Sequence, residues 1–115
     1  MLKRVWVSRM NKIRLTPEAA DDLHNIKHYI TTELKNPSAA IRIVTKITSD
    51  LRALQNFPNA GVSLEAKTGY STDYRMLVSG QYLIFYRIEP PYVSIDRILN
   101  GRQDYLHILF GPDLS

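Results

Sequence analysis

Arginine side chains accompany three strand-like runs in the second half of the chain, and these residues have the clearest capacity for chemistry. A guanidinium group binds phosphate or carboxylate through two parallel hydrogen bonds, and a nearby tyrosine offers a hydroxyl group or a stacking surface. The pattern therefore indicates a site for an anionic partner on or beside a sheet. The candidate binding residues are Arg75, Arg87, Arg97, Arg102 and Tyr105.

The same arginines also have a simpler structural interpretation, because an acidic residue stands within two positions of each of the four. These acids are Asp73, Glu89, Asp96 and Asp104. Ion pairs between exposed side chains contribute little to stability and imply no function. Both interpretations stay open for each arginine, and Arg102, which adjoins a glycine turn, has the strongest functional case.

The other polar residues form no catalytic or metal-binding pattern. His24 and His28 stand one helical turn apart, a spacing that suits a metal ion, but no third ligand accompanies them. Glu65 and His107 belong to no motif for acid–base chemistry. The chain has no cysteine, which excludes disulfides, cysteine metal sites and cysteine nucleophiles. We therefore expect neither a metal nor a cofactor.

The composition is that of one small globular domain, with 115 residues of which 44% are hydrophobic. No run has the length of a membrane span and the start lacks the apolar core of a signal peptide, so the expected location is the cytoplasm, without a membrane partner. Three of the 15 basic groups lie in residues 1–9, and the remainder holds 12 basic groups against 11 acidic ones. We predict that residues 1–9 are a basic extension and that residues 10–115 form a single domain.

A short strand and two helices are predicted in the first half of the chain. A strand candidate at residues 12–15 precedes Thr16-Pro17-Glu18, which supplies an N-cap hydroxyl, a proline for the first turn and an acid at the positive end of the helix dipole. This helix extends to about Leu34, and a second one runs from Pro37 to near Pro58. The short connection predicts an antiparallel hairpin. The apolar stripes are Ala19, Leu23, Ile26, Ile30 and Leu34 in the first helix, and Ala40, Val44, Ile47, Leu51 and Leu54 in the second.

The three runs of the second half predict an antiparallel meander, since only short turn signals separate them. Residues 82–88 are apolar on both alternating faces, which is typical of a strand in the middle of a sheet. The helix hairpin would cover one face, and a tail, a loop or a partner would cover the other. The predicted fold class is therefore α+β: an N-terminal strand and an antiparallel two-helix hairpin packed on a twisted antiparallel sheet.

The order and spacing of these segments resemble the RelE/ParE superfamily of bacterial toxins over roughly residues 11–109, and are closer to its ParE-like branch. The resemblance implies the toxin half of a type II toxin–antitoxin module of the plasmid-stabilisation type. A cognate antitoxin protein would neutralise it, in a complex expected to be oligomeric. The resemblance depends on the motifs Leu15-Thr16-Pro17-Glu18-Ala19-Ala20-Asp21-Asp22-Leu23, Tyr74-Arg75-Met76-Leu77, Ile84-Phe85-Tyr86-Arg87 and Arg97-Ile98-Leu99-Asn100-Gly101-Arg102-Gln103-Asp104.

Two activities follow from the resemblance. ParE-like members bind DNA gyrase and trap it on DNA, which requires a surface rather than a catalytic constellation. RelE-like members cut messenger RNA on the ribosome without a metal, and they use cations to hold the phosphate and stabilise its charge. The sequence favours gyrase inhibition. The RNA endonuclease is the alternative, and an inactive relic that only binds an antitoxin is a third possibility.

For the nuclease alternative, the resemblance implies the catalytic residues Arg75, Arg102 and Tyr105. Arg75 stands where the first basic residue of the RelE-like strand falls, and Arg102 matches the C-terminal arginine. Leu77 and Leu83 occupy two further positions at which that branch carries basic residues. These two leucines are the main reason for preferring the gyrase-directed activity.

Overall fold

The computed structural model describes residues 11–111. Strand β1 (Lys12–Leu15) leads into helix α1 (Pro17–His28). The predicted N-cap is present, because the Thr16 hydroxyl accepts a hydrogen bond from the Ala19 N–H at 3.1 Å. The helix continues as a π-helical segment, Tyr29–Glu33.

Helix α2 (Pro37–Ala53) returns antiparallel to α1 after a tight connection. Lys35 has a φ of 50°, a left-handed conformation that reverses the chain. The Asn36 side chain then caps α2 by accepting a hydrogen bond from the Ala39 N–H at 3.1 Å. The predicted helix hairpin is therefore confirmed, with its turn at residues 34–36.

The second half contains the meander and two short helices. Strand β2 (Val62–Ser63) and helix α3 (Leu64–Thr68) precede the three long strands. These are β3 (Arg75–Ser79), β4 (Tyr82–Glu89) and β5 (Tyr92–Asn100). Helix α4 (Tyr105–Phe110) follows β5.

The five strands form one sheet in the order β1-β5-β4-β3-β2. All neighbours are antiparallel except β1, which runs parallel to the first half of β5, from Lys12 opposite Tyr92 to Leu15 opposite Ile95. The pairing of β4 with β5 shifts register at Asp96, between Ile95 and Arg97. Such an irregularity re-aims the side chains near it.

The two faces of the sheet are covered by different elements. Ile84 and Tyr86 of β4 face the helix hairpin and pack with Ala19, Ile47 and Leu51. On the opposite face, Phe85 packs with Leu64, Met76 and Leu99, and side chains of α4 partly cover this second cluster. The central strand is thus buried on both faces, as its sequence predicted.

The predicted α+β architecture is confirmed, with three refinements. β1 joins the sheet as a parallel edge strand, and α4 is the tail that covers the second face. Leu34 is 56% exposed, so its predicted place in the buried stripe was wrong, because α1 becomes π-helical before reaching it and the apolar period changes. The predicted extension at residues 1–9 lies outside the described residues and stays a prediction.

Candidate functional site

A groove opens between the helix hairpin and the end of the sheet where β3 turns into β4. It has a volume of about 560 Å³, and its floor includes Ile43 and Ile47 of α2. Among residues 11–111, three basic side chains line it, Arg42, Lys46 and Arg102, and no acidic side chain does. We call this feature the cationic groove. It combines apolar contact area with positive charge, which suits an acidic, amphipathic ligand.

The turn after β5 places Arg102 at the rim of the groove. The Asn100 side chain accepts a hydrogen bond from the Arg102 N–H at 2.9 Å, and the Gly101 N–H donates to the Gln81 carbonyl at 2.8 Å. A Cβ on Gly101 would lie 3.3 Å from that carbonyl oxygen, so the close approach favours glycine. Arg102 itself is exposed, and within residues 11–111 its guanidinium makes no hydrogen bond or ion pair.

The two α2 cations differ in how far they are neutralised. Lys46 forms an i,i+4 ion pair with Asp50 at 3.0 Å, whereas Arg42 has no ion-pair partner among residues 11–111. Sequence reasoning missed both residues. Arg42 and Lys46 stand four positions apart beside Ile43 and Ile47, and this spacing places two basic side chains along an apolar face of the helix. That pattern could have identified them.

Two tyrosines and a buried serine complete the groove. Tyr29 is 54% exposed, while Tyr82 is half-buried, and burial together with the nearby Tyr29 raises the pKa of the Tyr82 hydroxyl. Ser79 is almost fully buried, and its hydroxyl has no hydrogen-bond partner within the described residues. Such a buried hydroxyl has an unmet polar requirement that a ligand group or water would satisfy.

Arg75 lies at the other end of β3 and is used to hold a loop. Its Nη2 donates to the carbonyl oxygens of Gly61 at 2.6 Å and Asn59 at 3.2 Å. In the sheet Arg75 is opposite Tyr86, whereas the Arg102 turn adjoins Gln81 at the start of β4. At about 3.3 Å per residue the two ends lie on the order of 15 Å apart.

Arg87 belongs to a partly buried polar network around Asp96, and it also lies 3.8 Å from Glu89, the partner that its sequence neighbours suggested. Its Nε donates to Asp96 Oδ2 at 2.8 Å, and the Ser94 hydroxyl donates to Asp96 Oδ1 at 2.8 Å. The guanidinium also lies 5.5 Å from the centre of the Tyr74 ring. Burial, and then the charge of Asp96, raises the pKa of Tyr74 to about 12. The network is satisfied internally, which is typical of a structural role.

Arg97 connects the sheet to α1. Its Nε and Nη2 donate to the two carboxylate oxygens of Asp22 at 2.7 Å and 2.9 Å. The hydrogen bond and charge of Asp22 raise the pKa of the Arg97 guanidinium. Asp22 also accepts a hydrogen bond from the Ile98 N–H at 2.9 Å, where β1 no longer pairs with β5. This pair therefore closes an otherwise open strand edge.

Tyr105 packs over the sheet face opposite the helix hairpin. Its ring centre lies 5.2 Å from that of Phe85, and it is half-buried in the second core cluster. The structure thus distributes the predicted site residues: Arg75, Arg87 and Arg97 make internal polar contacts and Tyr105 makes an apolar one. Of these five, Arg102 alone lines the cationic groove.

The other candidates from the sequence have local contacts. The His24 and His28 rings stack at 6.4 Å, and Glu65 accepts a hydrogen bond from the Thr72 N–H at 3.0 Å. His107 contacts Asp104 at the start of α4. Among residues 11–111 no three histidine or acidic side chains are placed to share a metal ion. In the same part of the chain, no helix is long and apolar enough to cross a membrane.

The fold is that of a small α+β protein, with a two-helix hairpin packed on a mostly antiparallel five-stranded sheet. The family model described as the ParE toxin of the type II toxin–antitoxin system parDE matches residues 13–105, so the chain belongs to this family. A solved structure titled as the chromosomal ParDE TA system from P. aeruginosa is similar, with 25% sequence identity and a TM-score of 0.65. The match covers 81% of this chain and 98% of that one. A search of curated proteins finds no match.

Proposed function

We propose that the chain arrests growth by binding DNA gyrase in the cytoplasm, and that a cognate antitoxin silences it by occupying the cationic groove. Membership of the ParE toxin family supports a toxin role. The gyrase target follows from the resemblance of the sequence to ParE-like toxins. The complex of toxin and antitoxin is expected to be oligomeric.

The use of the arginines is the observation that favours binding over RNA cleavage. An endonuclease needs cations and an acid–base group gathered around one phosphate. Here Arg75 holds the carbonyls of Asn59 and Gly61, and Tyr105 packs on Phe85. Arg102 lies at the other end of β4 from Arg75. These separate contacts of the three candidate catalytic residues favour surface binding over RNA cleavage.

The chemistry of the cationic groove supports an antitoxin segment as its ligand. The apolar floor would accept aliphatic side chains, and Arg42 and Arg102 would pair with carboxylates. A segment that carries both, such as an acidic amphipathic helix or strand, would bury apolar area and neutralise the rim. The unpartnered Ser79 hydroxyl offers one further polar contact.

Pulse labelling after induction of the chain without an antitoxin tests the proposed target. DNA synthesis should fall before protein synthesis, and the purified chain should inhibit supercoiling by gyrase. Co-expression of the antitoxin is the control, which should restore both. Earlier loss of amino-acid incorporation would contradict gyrase inhibition and favour the ribosome-dependent RNA endonuclease. Absence of growth arrest with antitoxin binding retained would indicate the inactive relic.

The antitoxin part of the proposal has its own measurement. A ligand that binds only the folded state raises the melting temperature with concentration. Adding the purified antitoxin should therefore raise the melting temperature of the chain. An unchanged melting temperature at saturating antitoxin would contradict neutralisation by direct binding.

A further inference from the structure

A short loop after α2 presents an exposed phenylalanine on a fixed backbone. The loop comprises residues 56–60, and we call it the pinned loop. Phe57 is 66% exposed, the most exposed large hydrophobic side chain in residues 11–111. Local hydrogen bonds fold the loop into a turn, from the Phe57 N–H to the Ala53 carbonyl and from the Ala60 N–H to the Phe57 carbonyl, each at 3.0 Å.

Two side chains from the sheet hold this loop in place. The Tyr86 hydroxyl donates to the Pro58 carbonyl at 2.7 Å and accepts from the Gly61 N–H at 2.9 Å. Arg75 donates to the Asn59 and Gly61 carbonyls. A Cβ on Gly61 would lie 2.8 Å from both the Tyr86 hydroxyl and the Met76 carbonyl oxygen. Only glycine permits this approach without displacement of the backbone or of Tyr86.

A loop that only connects α2 to β2 would not need buried side chains to hold its backbone. Tyr86 is fully buried, and the Nε of Arg75 is buried without a hydrogen-bond partner in the described residues. A connecting loop on the surface normally keeps its backbone groups in water. Fixing the backbone beneath an exposed aromatic ring lowers the entropy that the ring loses on binding, which is the property of an anchor residue at a protein interface.

The surroundings of Phe57 define the kind of partner. Within the part of the chain that the structure describes, the surface depression beside it is lined by residues 56–60 and contains no charged side chain. The Arg75 guanidinium reaches the loop but is bound to the Asn59 and Gly61 carbonyls, so we expect an uncharged partner surface here rather than nucleic acid or an acidic segment. The cationic groove lies on the first turns of α2, whereas Phe57 follows its last turn. Since a helix rises about 1.5 Å per residue, the 15 positions from Arg42 to Phe57 separate the two features by roughly 20 Å.

We propose that the pinned loop is the target-docking site, with Phe57 inserting into an uncharged apolar pocket on the target protein. This inference rests on the proposed function in one respect, that the chain acts by binding a protein. Phe57 is the anchor, and Tyr86 and Arg75 are positioning residues that hold the loop from below. The antitoxin, by contrast, is assigned to the cationic groove.

Growth arrest by the full chain, expressed without antitoxin, tests this assignment. The readout does not depend on which protein is the target. Phe57→Ala should raise the expression level needed for arrest at least about tenfold, because truncation of a central aromatic anchor commonly costs that much affinity. Val78→Ala is the matched control, since Val78 is 62% exposed on the edge of β3, away from the loop. It should leave growth arrest unchanged. Affinity for the antitoxin and the melting temperature should be unchanged in both variants.

Each outcome separates the docking site from the choice of gyrase as target. Full toxicity of Phe57→Ala would overturn the docking site and leave gyrase inhibition intact. Loss of antitoxin affinity in Phe57→Ala would also overturn it, because the loop would then belong to the antitoxin interface. A wild-type chain that arrests growth without inhibiting gyrase would overturn the gyrase target, while the comparison of the two variants in cells still decides the role of the loop.

Discussion

Arg97 and Asp22 lie 75 positions apart in the sequence and form a two-pronged ion pair between β5 and α1, with hydrogen bonds of 2.7 Å and 2.9 Å. The same carboxylate accepts the Ile98 N–H at the point where β1 ends. The Asp22 carboxylate thus accepts hydrogen bonds from both a guanidinium group and a strand N–H that β1 leaves unpaired. Both side chains are mostly buried. This contact therefore ties α1 to the part of β5 that β1 leaves unpaired.

Removing the Asp22 carboxylate should destabilise the protein markedly. Asp22→Ala leaves a partly buried guanidinium and a strand N–H without partners, and breaking such a pair costs on the order of 3 kcal/mol. Asp21→Ala is the matched control, because Asp21 is exposed and makes no side-chain hydrogen bond within residues 11–111. Urea unfolding should show the loss only in Asp22→Ala. Equal free energies of unfolding for the two variants would contradict the proposed contribution of this contact to stability.

Local features of this fold were predictable from the sequence, whereas long-range polar contacts such as Arg97–Asp22 were not. The helices, the hairpin and the two-faced central strand were predictable, because N-caps, prolines and apolar periods are local signals. The partners of the arginines were predictable only in part. Sequence neighbours suggested Glu89 for Arg87, and this ion pair is present at 3.8 Å. They also suggested Asp96 for Arg97 and Asp104 for Arg102, whereas Asp96 pairs with Arg87 and Asp104 contacts His107. The register irregularity at Asp96 redirects the side chains beside it in β5, and no local pattern encodes it.

The candidate site was predictable only in part for the same reason. Arg102 was selected because it adjoins a glycine turn, and it does line the cationic groove. Arg42 and Lys46 lie on a helix that comes close to this turn only in the folded state. The sequence predicts Phe57 near the end of a helix, whereas it lies in the pinned loop, which hydrogen bonds with Tyr86, 29 positions later, hold in place. Long-range contacts thus determine which polar and aromatic residues remain free.

Loss of the Tyr86 hydroxyl should destabilise the protein without changing its core packing. Tyr86→Phe leaves the Pro58 carbonyl and the buried Gly61 N–H without their partner, which should cost about 1–3 kcal/mol. Tyr82→Phe is the control, since the Tyr82 hydroxyl makes no hydrogen bond within the described residues. Thermal unfolding should separate the two variants. Hydrogen exchange at Gly61 should also accelerate in Tyr86→Phe only, and unchanged exchange there would argue against pinning of the loop.

Tyr74 should give a distinct alkaline titration step. Its pKa is raised from 10.0 to about 12 by burial and by Asp96, so the folded state holds this proton more tightly than the unfolded state. The resulting stabilisation is fully present below pH 10 and is lost as the pH rises from 10 towards 12. Absorbance titration of phenolate should show a step near pH 12 that disappears in Tyr74→Phe. An unaltered titration curve in that variant would contradict the assignment.

Charge reversal in the cationic groove should weaken antitoxin binding selectively. The double change Arg42→Glu and Arg102→Glu replaces two attractive rim charges by repulsive ones, and about 1–2 kcal/mol, or roughly tenfold in dissociation constant, is expected. Arg52→Glu is the control, because Arg52 is exposed on α2 but lies outside the groove. Calorimetry at low and high salt should show that the difference shrinks as salt rises. Equal weakening by Arg52→Glu would indicate a general charge effect instead.

Arg102 also decides between surface binding and RNA cleavage when it is changed alone to alanine. If growth arrest depends on docking through the pinned loop, Arg102→Ala should retain its toxicity, because the exposed guanidinium makes no contact that positions Phe57. In an endonuclease, the same change would remove charge stabilisation in the transition state, at about 2–4 kcal/mol or roughly 30- to 1,000-fold in rate. Growth arrest and cleavage of messenger RNA should be measured together. Lost toxicity together with lost cleavage would establish a catalytic Arg102 and would contradict surface binding as the cause of growth arrest.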